Sequence, residues 1–212
     1  MLFMGSCYIT GNISPYIASY YRLEDTSKAS EILPTIIAIN SLFIMPIGTM
    51  LVQRNWNPKI LILIGGIISM ALFFAATLAK TKYLTFYLLY SIAFAIPQGL
   101  TYMAPVHHAW LFFPNSAGLI SGLILAGYGF GALIFDNVST ALINPNDDSV
   151  DENDWYPSEV NENFEKMMYV LIVSWAICIL IGIIMVFEGP IKKKRTSSRS
   201  FSDSQTEEVN NV

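Results

Sequence analysis

The chain has 212 residues, of which 53% are hydrophobic and 13% charged, with a mean hydropathy of +0.48. Soluble chains carry roughly 25% charged residues, so this composition excludes an ordinary water-soluble domain and places the chain among polytopic membrane proteins. The net charge of −4 averages an acidic loop and a basic tail and excludes nothing by itself.

Six uncharged runs are long enough to cross a bilayer, at 1–21, 32–52, 60–79, 84–105, 117–135 and 167–187. The hydrocarbon core needs roughly 20 residues, and backbone groups there have no water to bond, so each run is predicted to be a helix. The first run lacks a basic leader and a cleavage site and reads as a span with its first turns short. It sets Tyr8, Asn12, Pro15, Tyr16 and Ser19 on one side. The second contains Pro34 and Pro46, and the fourth Pro97 and Pro105; each removes a backbone donor and tends to kink its helix. The fourth also aligns Tyr87, Ser91, Gln98, Tyr102 and Pro105. In the fifth, Gly118, Ser121, Gly122, Ala126, Gly129 and Ala132 form a small-residue face, with Tyr128 at its edge and Gly127 and Gly131 opposite. Such faces let helices approach backbone to backbone in lipid. This helix is therefore expected to be the central one of a bundle, packed through Gly118, Gly122, Gly127, Gly129 and Gly131.

The connections set the orientation. Lys192, Lys193, Lys194, Arg195 and Arg199 follow the sixth run, and basic clusters favour the cytoplasmic side. An even helix number then puts both termini in the cytoplasm, of either the plasma membrane or an internal one. The stretch 144–166, with Asp147, Asp148, Asp151, Glu152, Asp154, Glu159, Glu162 and Glu165, becomes a non-cytoplasmic acidic loop. It contains no glycine for an EF-hand turn, so a solvated loop is expected, not an ion site. Residues 190–212 form a basic, then polar tail with the composition of a disordered segment.

Polar groups in lipid should face a bundle interior or a water-filled cavity. Tyr8, Asn12, Tyr16, Gln98, Tyr102 and Tyr128 are the candidate solute-binding residues, with helix-to-helix hydrogen bonding as the plainer reading of each. No enzyme, metal or cofactor motif is visible. His107 and His108 are adjacent, so their side chains diverge, and Cys7 and Cys178 fall in separate apolar runs as membrane-buried thiols. The basic tail cluster is explained by topology or anionic lipid, without nucleic acid.

A family resemblance rests on Tyr102 to Pro105, Trp110, Phe113-Pro114, Gly118-x-x-x-Gly122 and Gly127-Tyr-Gly-Phe-Gly131. This run resembles the fourth and fifth helices of major facilitator superfamily transporters, nearest the oxalate/formate antiporter and monocarboxylate transporter branch, with one extra residue between Trp110 and Phe113. Residues 11–22 resemble the end of that family's first helix. Gly48, Arg54 and Pro58-Lys59 match parts of the superfamily's signature loop, with Val52 where the signature has an aspartate. The resemblance implies an all-α membrane fold of six helices, two inverted three-helix repeats making one half of a major facilitator transporter. It also implies a small organic anion as solute, with a proton or counter-anion, and a second six-helix half or a homodimer as partner. By motif position, Tyr8, Tyr102 and Tyr128 would line the cavity with Asn12 and Gln98 nearby. The alternative expectation is a non-transporting half-transporter that acts as an interaction or regulatory protein, or a partial product.

Overall fold

The computed structural model describes residues 2–54 and 56–185, without the side chains of His108 and Leu111. The tail expected over 190–212 lies outside the described residues. Six helical segments are present among them, with no strand. α1 is Leu2–Gly5, a 3-10 turn at Ser6–Tyr8 and Ile9–Tyr21. α2 is Ser27–Ser30 and Ile32–Ile39, a π-helical turn at Asn40–Ile44 and Met45–Gln53. α3 is Pro58–Thr77 and α4 Tyr83–Phe112. α5 is Ala117–Ile143 and α6 Ser158–Met185.

Five stretches are long and apolar enough to cross a membrane: Ser27–Gln53, Pro58–Thr77, Tyr83–His107, Pro114–Ile143 and Ser158–Met185. The first helix is not among them. Its 3-10 turn splits it, and its longer α-helical piece has 13 residues.

Local chemistry explains several element boundaries. Asn57 caps α3 by accepting the Lys59 N–H at 2.9 Å, with Pro58 at the first helical position, where its missing donor costs nothing. α1 ends where Arg22 turns left-handed at φ 48°, and the N–H groups of Arg22 and Leu23 return to Ser19 and Ala18. The π turn has a covalent cause. Pro46 supplies no N–H and its ring crowds the carbonyl four residues back, so the ladder widens and Met45 N–H bonds Asn40 O five residues back.

Contacts at one end alternate helix ends and starts. Tyr21 Oη donates to Ala79 O at 2.9 Å, Tyr83 Oη donates to Lys28 O at 2.7 Å, and Lys80 pairs with Glu165. The helices therefore run alternately up and down, and this end also carries Arg22 and the 144–157 connection. The core is an aromatic stack among α1, α3, α4 and α6. Trp175 lies 4.5 Å from Phe73 and 4.8 Å from Phe94 between ring centroids, with Phe3, Phe86 and Tyr90 extending the stack. Against it, α1 buries Ile9, Ile13 and Ile17 completely.

Three expectations are corrected. The central helix is α4, which buries residues along most of its length, not α5, of which only Gly131, Phe135, Ser139 and Ile143 are buried among the described residues. Small residues mark where a helix can be approached, not where it is. The acidic stretch 144–166 is only partly a loop: α6 starts at Ser158 and takes in Glu159, Glu162 and Glu165. The fifth helix, expected to stop at 135, runs on to Ile143.

Glycine works at two crossings. A Cβ on Gly5 would overlap the Tyr128 carbonyl oxygen, and one on Gly131 the Leu2 carbonyl oxygen, so α1 and α5 touch backbone to backbone. A Cβ on Gly48 would overlap the Gly99 carbonyl oxygen, giving the same contact between α2 and α4. By contrast, Cβ atoms on Gly118, Gly122 and Gly129 would meet nothing within 4 Å.

Gly131→Leu should therefore lower stability by at least about 1–3 kcal/mol, while Gly118→Leu should stay within about 0.5 kcal/mol. Thermal unfolding in detergent checks the pair. A second expectation concerns the 144–157 connection, where Asp151 Oδ1 accepts the N–H groups of Trp155 and Asn153 at 2.8 and 2.9 Å. The Trp155 bond foremost holds this carboxyl below its ordinary range. The resulting stabilisation is present at neutral pH and is lost as pH falls below the ordinary carboxylate value of about 3.9. Exchange at the Trp155 N–H should accelerate in that window and not above it.

Candidate functional site

A cavity lies among α1, α2, α4 and α5, has a volume of about 360 Å³, and is lined by Tyr8, Ile37, Asn40, Met45, Gln98, Tyr102, Leu125 and Tyr128. Its apolar walls come from Ile37, Met45 and Leu125. Its polar groups are three phenols and two amides. The α1–α5 crossing fixes one side: with Gly5 seated on the Tyr128 carbonyl, Tyr8 meets Tyr128 edge-on at 5.8 Å, and Tyr128 Oη lies 3.4 Å from Cys7 Sγ. The α2–α4 crossing fixes the other, because Gly48 rests on Gly99, the residue after Gln98.

Two polar atoms stand out. Gln98 is only 8% exposed, and its Nε2 has no hydrogen-bond partner beyond a weak interaction with the Cys7 thiol; Asn40 Oδ1 is likewise buried and unpartnered. A buried donor or acceptor left unpaired costs about 1–3 kcal/mol. Two such atoms lining one cavity mean that a solute supplying an acceptor to one and a donor to the other would recover part of that cost.

Four of the six expected binding residues, Tyr8, Gln98, Tyr102 and Tyr128, line this cavity. The other two do not. Asn12 lies further along α1, where its Nδ2 donates to Asp136 Oδ2 at 2.6 Å. Tyr16 stacks on Tyr156 of the 144–157 connection, with centroids 4.6 Å apart. Of the glycines expected to pack α5, only Gly131 meets a backbone among those with described surroundings, while Gly118, Gly122 and Gly129 face open space.

Sequence reasoning missed Asn40 and Asp136. Asn40 sits in the π turn, where side chains depart from ordinary helical spacing; the signal available was a lone amide two residues ahead of the mid-helix Leu-Phe-Ile-Met-Pro run. Asp136 is the first residue past the expected end of the fifth helix, and a span read only from uncharged residues stops short of it.

Among the described residues no three His, Cys, Asp or Glu side chains cluster as metal ligands. The arrangement is a largely neutral, hydrogen-bonding pocket in an apolar wall.

Comparison with known proteins adds one relative. The chain is 27% identical over 180 residues to apicoplast pyruvate carrier 1 of Toxoplasma gondii, a match covering 67% of this chain and 32% of that protein. The chain thus spans about a third of the length of the curated relative it matches. No family model matches, and no solved structure matches. The apolar helices and this likeness together make the chain an integral, multi-pass membrane protein.

The orphan atoms give a stability test. Asn40→Leu removes an unpaired buried acceptor, so it should leave the thermal midpoint unchanged or raise it, whereas Ser69→Ala, which breaks the 2.6 Å bond to Ala93 O between α3 and α4, should cost about 1 kcal/mol. Equal losses from both would mean that Asn40 has a structural partner.

Proposed function

We propose that the chain forms part of a secondary transporter of the major facilitator type that moves a small organic anion, a monocarboxylate such as pyruvate, by alternating access. The observation that carries this reading is the cavity between α1, α2, α4 and α5 with its Gln98 donor, met only weakly by the Cys7 thiol, and its Tyr8, Tyr102 and Tyr128 hydroxyls. A carboxylate accepts hydrogen bonds and has a short apolar body, which matches these donors and the Ile37, Met45 and Leu125 wall. The printed name of the relative, a pyruvate carrier, supports the same solute class.

The inverted-repeat reading has its own support. Pairing α1, α2, α3 with α4, α5, α6 in order relates the α1–α5 crossing to the α4–α2 crossing, and both are made by paired glycines. The π turn ahead of Pro46 interrupts α2 beside the cavity, the kind of interruption common in transporters that rock between states, while α4 stays continuous through Pro97 and Pro105. The driving ion is a proton or a counter-anion, both termini are cytoplasmic, and the second set of helices comes from another six-helix half or a second copy.

A non-transporting interaction role is the second reading. It is favoured by the uncovered glycines Gly118, Gly122 and Gly129 on α5, which offer a surface for another membrane helix.

The test is binding and uptake of labelled pyruvate by the protein in liposomes. Gln98→Met and Tyr128→Phe should each weaken binding by about 5–10-fold, the worth of one net hydrogen bond, without lowering stability by more than about 1 kcal/mol. Absence of saturable binding by the unaltered chain, for pyruvate and a panel of short acids, would overturn the transport reading and leave the interaction reading standing.

A further inference from the structure

Asn40 lines the cavity from an irregular piece of backbone. It opens the π turn Asn40–Ile44, and its own carbonyl accepts the Met45 N–H. Such a turn holds one residue more than an α-helical turn, so an unbroken α-helix anchored at Gly48 would carry the Asn40 side chain about 100° round the axis. Turns of this kind occur often at functional sites. Here the turn is held against α4. A Cβ on Gly99 would overlap both the side chain and the backbone of Ile44, and one on Gly48 would overlap the Gly99 carbonyl oxygen. Gln98 is the residue before Gly99, so these contacts set the Asn40 turn beside Gln98.

The polar groups of the cavity differ in what they require of a solute. The Tyr8, Tyr102 and Tyr128 hydroxyls donate or accept after rotation of one proton. Gln98 Nε2 only donates, and the Cys7 thiol meets it weakly. Asn40 Oδ1 only accepts, and it is buried without a donor among the described residues. The carboxylate of a short acid serves Gln98 and the phenols. It does not serve Asn40, because it brings no proton. A 2-oxo acid adds a further acceptor and leaves Asn40 as it was. A 2-hydroxy acid carries an O–H donor on the carbon beside its carboxylate.

We propose that Asn40 is a specificity-determining residue of this cavity: its side-chain oxygen accepts the hydroxyl proton of a 2-hydroxy acid and so selects that acid over the 2-oxo acid of the same carbon skeleton. This inference rests on the transport reading and narrows the solute within it. A 2-oxo acid that fills the cavity shuts Asn40 Oδ1 off from water without giving it a donor, which costs free energy. A hydroxyl in the same place makes the bond that the site leaves open. A site built to hydrogen-bond a substrate hydroxyl rejects the analogue that lacks it, whereas an apolar pocket separates such pairs poorly. For one bond to a neutral amide, the expected preference is about tenfold.

The rest of the lining does not make this choice. The two acids of a pair differ by two hydrogen atoms, so a cavity of about 360 Å³ does not separate them by size. Ile37, Met45 and Leu125 are apolar, and the phenols accommodate either acid. Asn12 spends its amide N–H on Asp136, and Tyr16 lies against Tyr156, outside the cavity lining.

The test is calorimetric titration of the full chain in nanodiscs with two matched pairs, lactate against pyruvate and 2-hydroxybutanoate against 2-oxobutanoate. A fifth probe, 2-fluoropropanoate, has the tetrahedral carbon of lactate without its donor. Each hydroxy acid should bind about tenfold more tightly than its oxo partner, and 2-fluoropropanoate should bind like pyruvate. Asn40→Leu, expected to keep or raise the thermal midpoint, should bring the hydroxy acids down to the level of the oxo acids. Gln98→Met should weaken both members of each pair alike and keep the preference. Equal affinities in the unaltered protein, tight binding of 2-fluoropropanoate, or a preference that survives Asn40→Leu would overturn the proposal and leave the transport reading in place. A preference for the oxo acids, the result of an Asn40 amide turned to offer its N–H groups, would overturn it too. If none of the acids binds saturably, the transport reading falls and the proposal with it.

Discussion

Backbone-to-backbone contact at two glycine crossings is the constraint on which the rest of the structure depends. In lipid, burying apolar side chains gives helices little reason to associate, so close van der Waals approach and interhelical hydrogen bonds must do it. Gly5 against Tyr128 and Gly131 against Leu2 lock α1 to α5; Gly48 against Gly99 locks α2 to α4. The cavity is what remains between these two pairs. Its polar residues sit within a few positions of the crossings, Tyr8 three residues beyond Gly5 and Gln98 beside Gly99, so their placement is set by the tightest packing in the molecule. The aromatic stack around Trp175 holds α3 and α6 behind that arrangement.

The polar groups divide by what satisfies them. Ser69 bonds a carbonyl on the neighbouring helix, and Thr10 meets Tyr90 at 3.2 Å. These are structural links. Of the buried polar atoms without such a partner, which include Ser91 Oγ, Ser139 Oγ and Trp175 Nε1, three are Gln98 Nε2, Asn40 Oδ1 and Asp136 Oδ1. In a membrane protein unpaired polar atoms are expensive, and all three lie on helices around the same cavity or one to two turns from it. A solute that hydrogen-bonds the first two would satisfy both together.

Much of this was legible in the sequence. The six helices followed from uncharged runs, and Tyr8, Gln98, Tyr102 and Tyr128 followed from polar residues recurring on one face of their helices. What escaped has physical reasons. Asn40 was hidden because Pro46 forces a π turn, which moves side chains off the spacing that an amphipathic reading assumes. Asn12 and Tyr16 share a helix face with Tyr8, but their partners, Asp136 and Tyr156, come from segments more than a hundred residues away, and helical periodicity carries no information about them. The glycines of α5 show the limit most clearly. Gly118, Gly122 and Gly131 are alike in sequence, yet only Gly131 meets another backbone in this chain. Small residues permit close packing without saying which side is used. Helix ends were also misjudged, because α5 continues through Asp136 and Asn137 once Asn12 and the Leu133 carbonyl take up their polar groups.

The most direct test of the binding cavity is a distance, not a rate. The chain has three glutamines, Gln53, Gln98 and Gln205, so solid-state NMR with side-chain nitrogen-15 glutamine and carboxyl carbon-13 pyruvate isolates the contact. The expected result is strong carbon–nitrogen dephasing at a separation of about 3–4 Å, consistent with a hydrogen bond from Nε2, and its loss in Gln98→Met. Saturating pyruvate with no dephasing, or dephasing that survives Gln98→Met, would contradict a cavity in which Gln98 receives the solute.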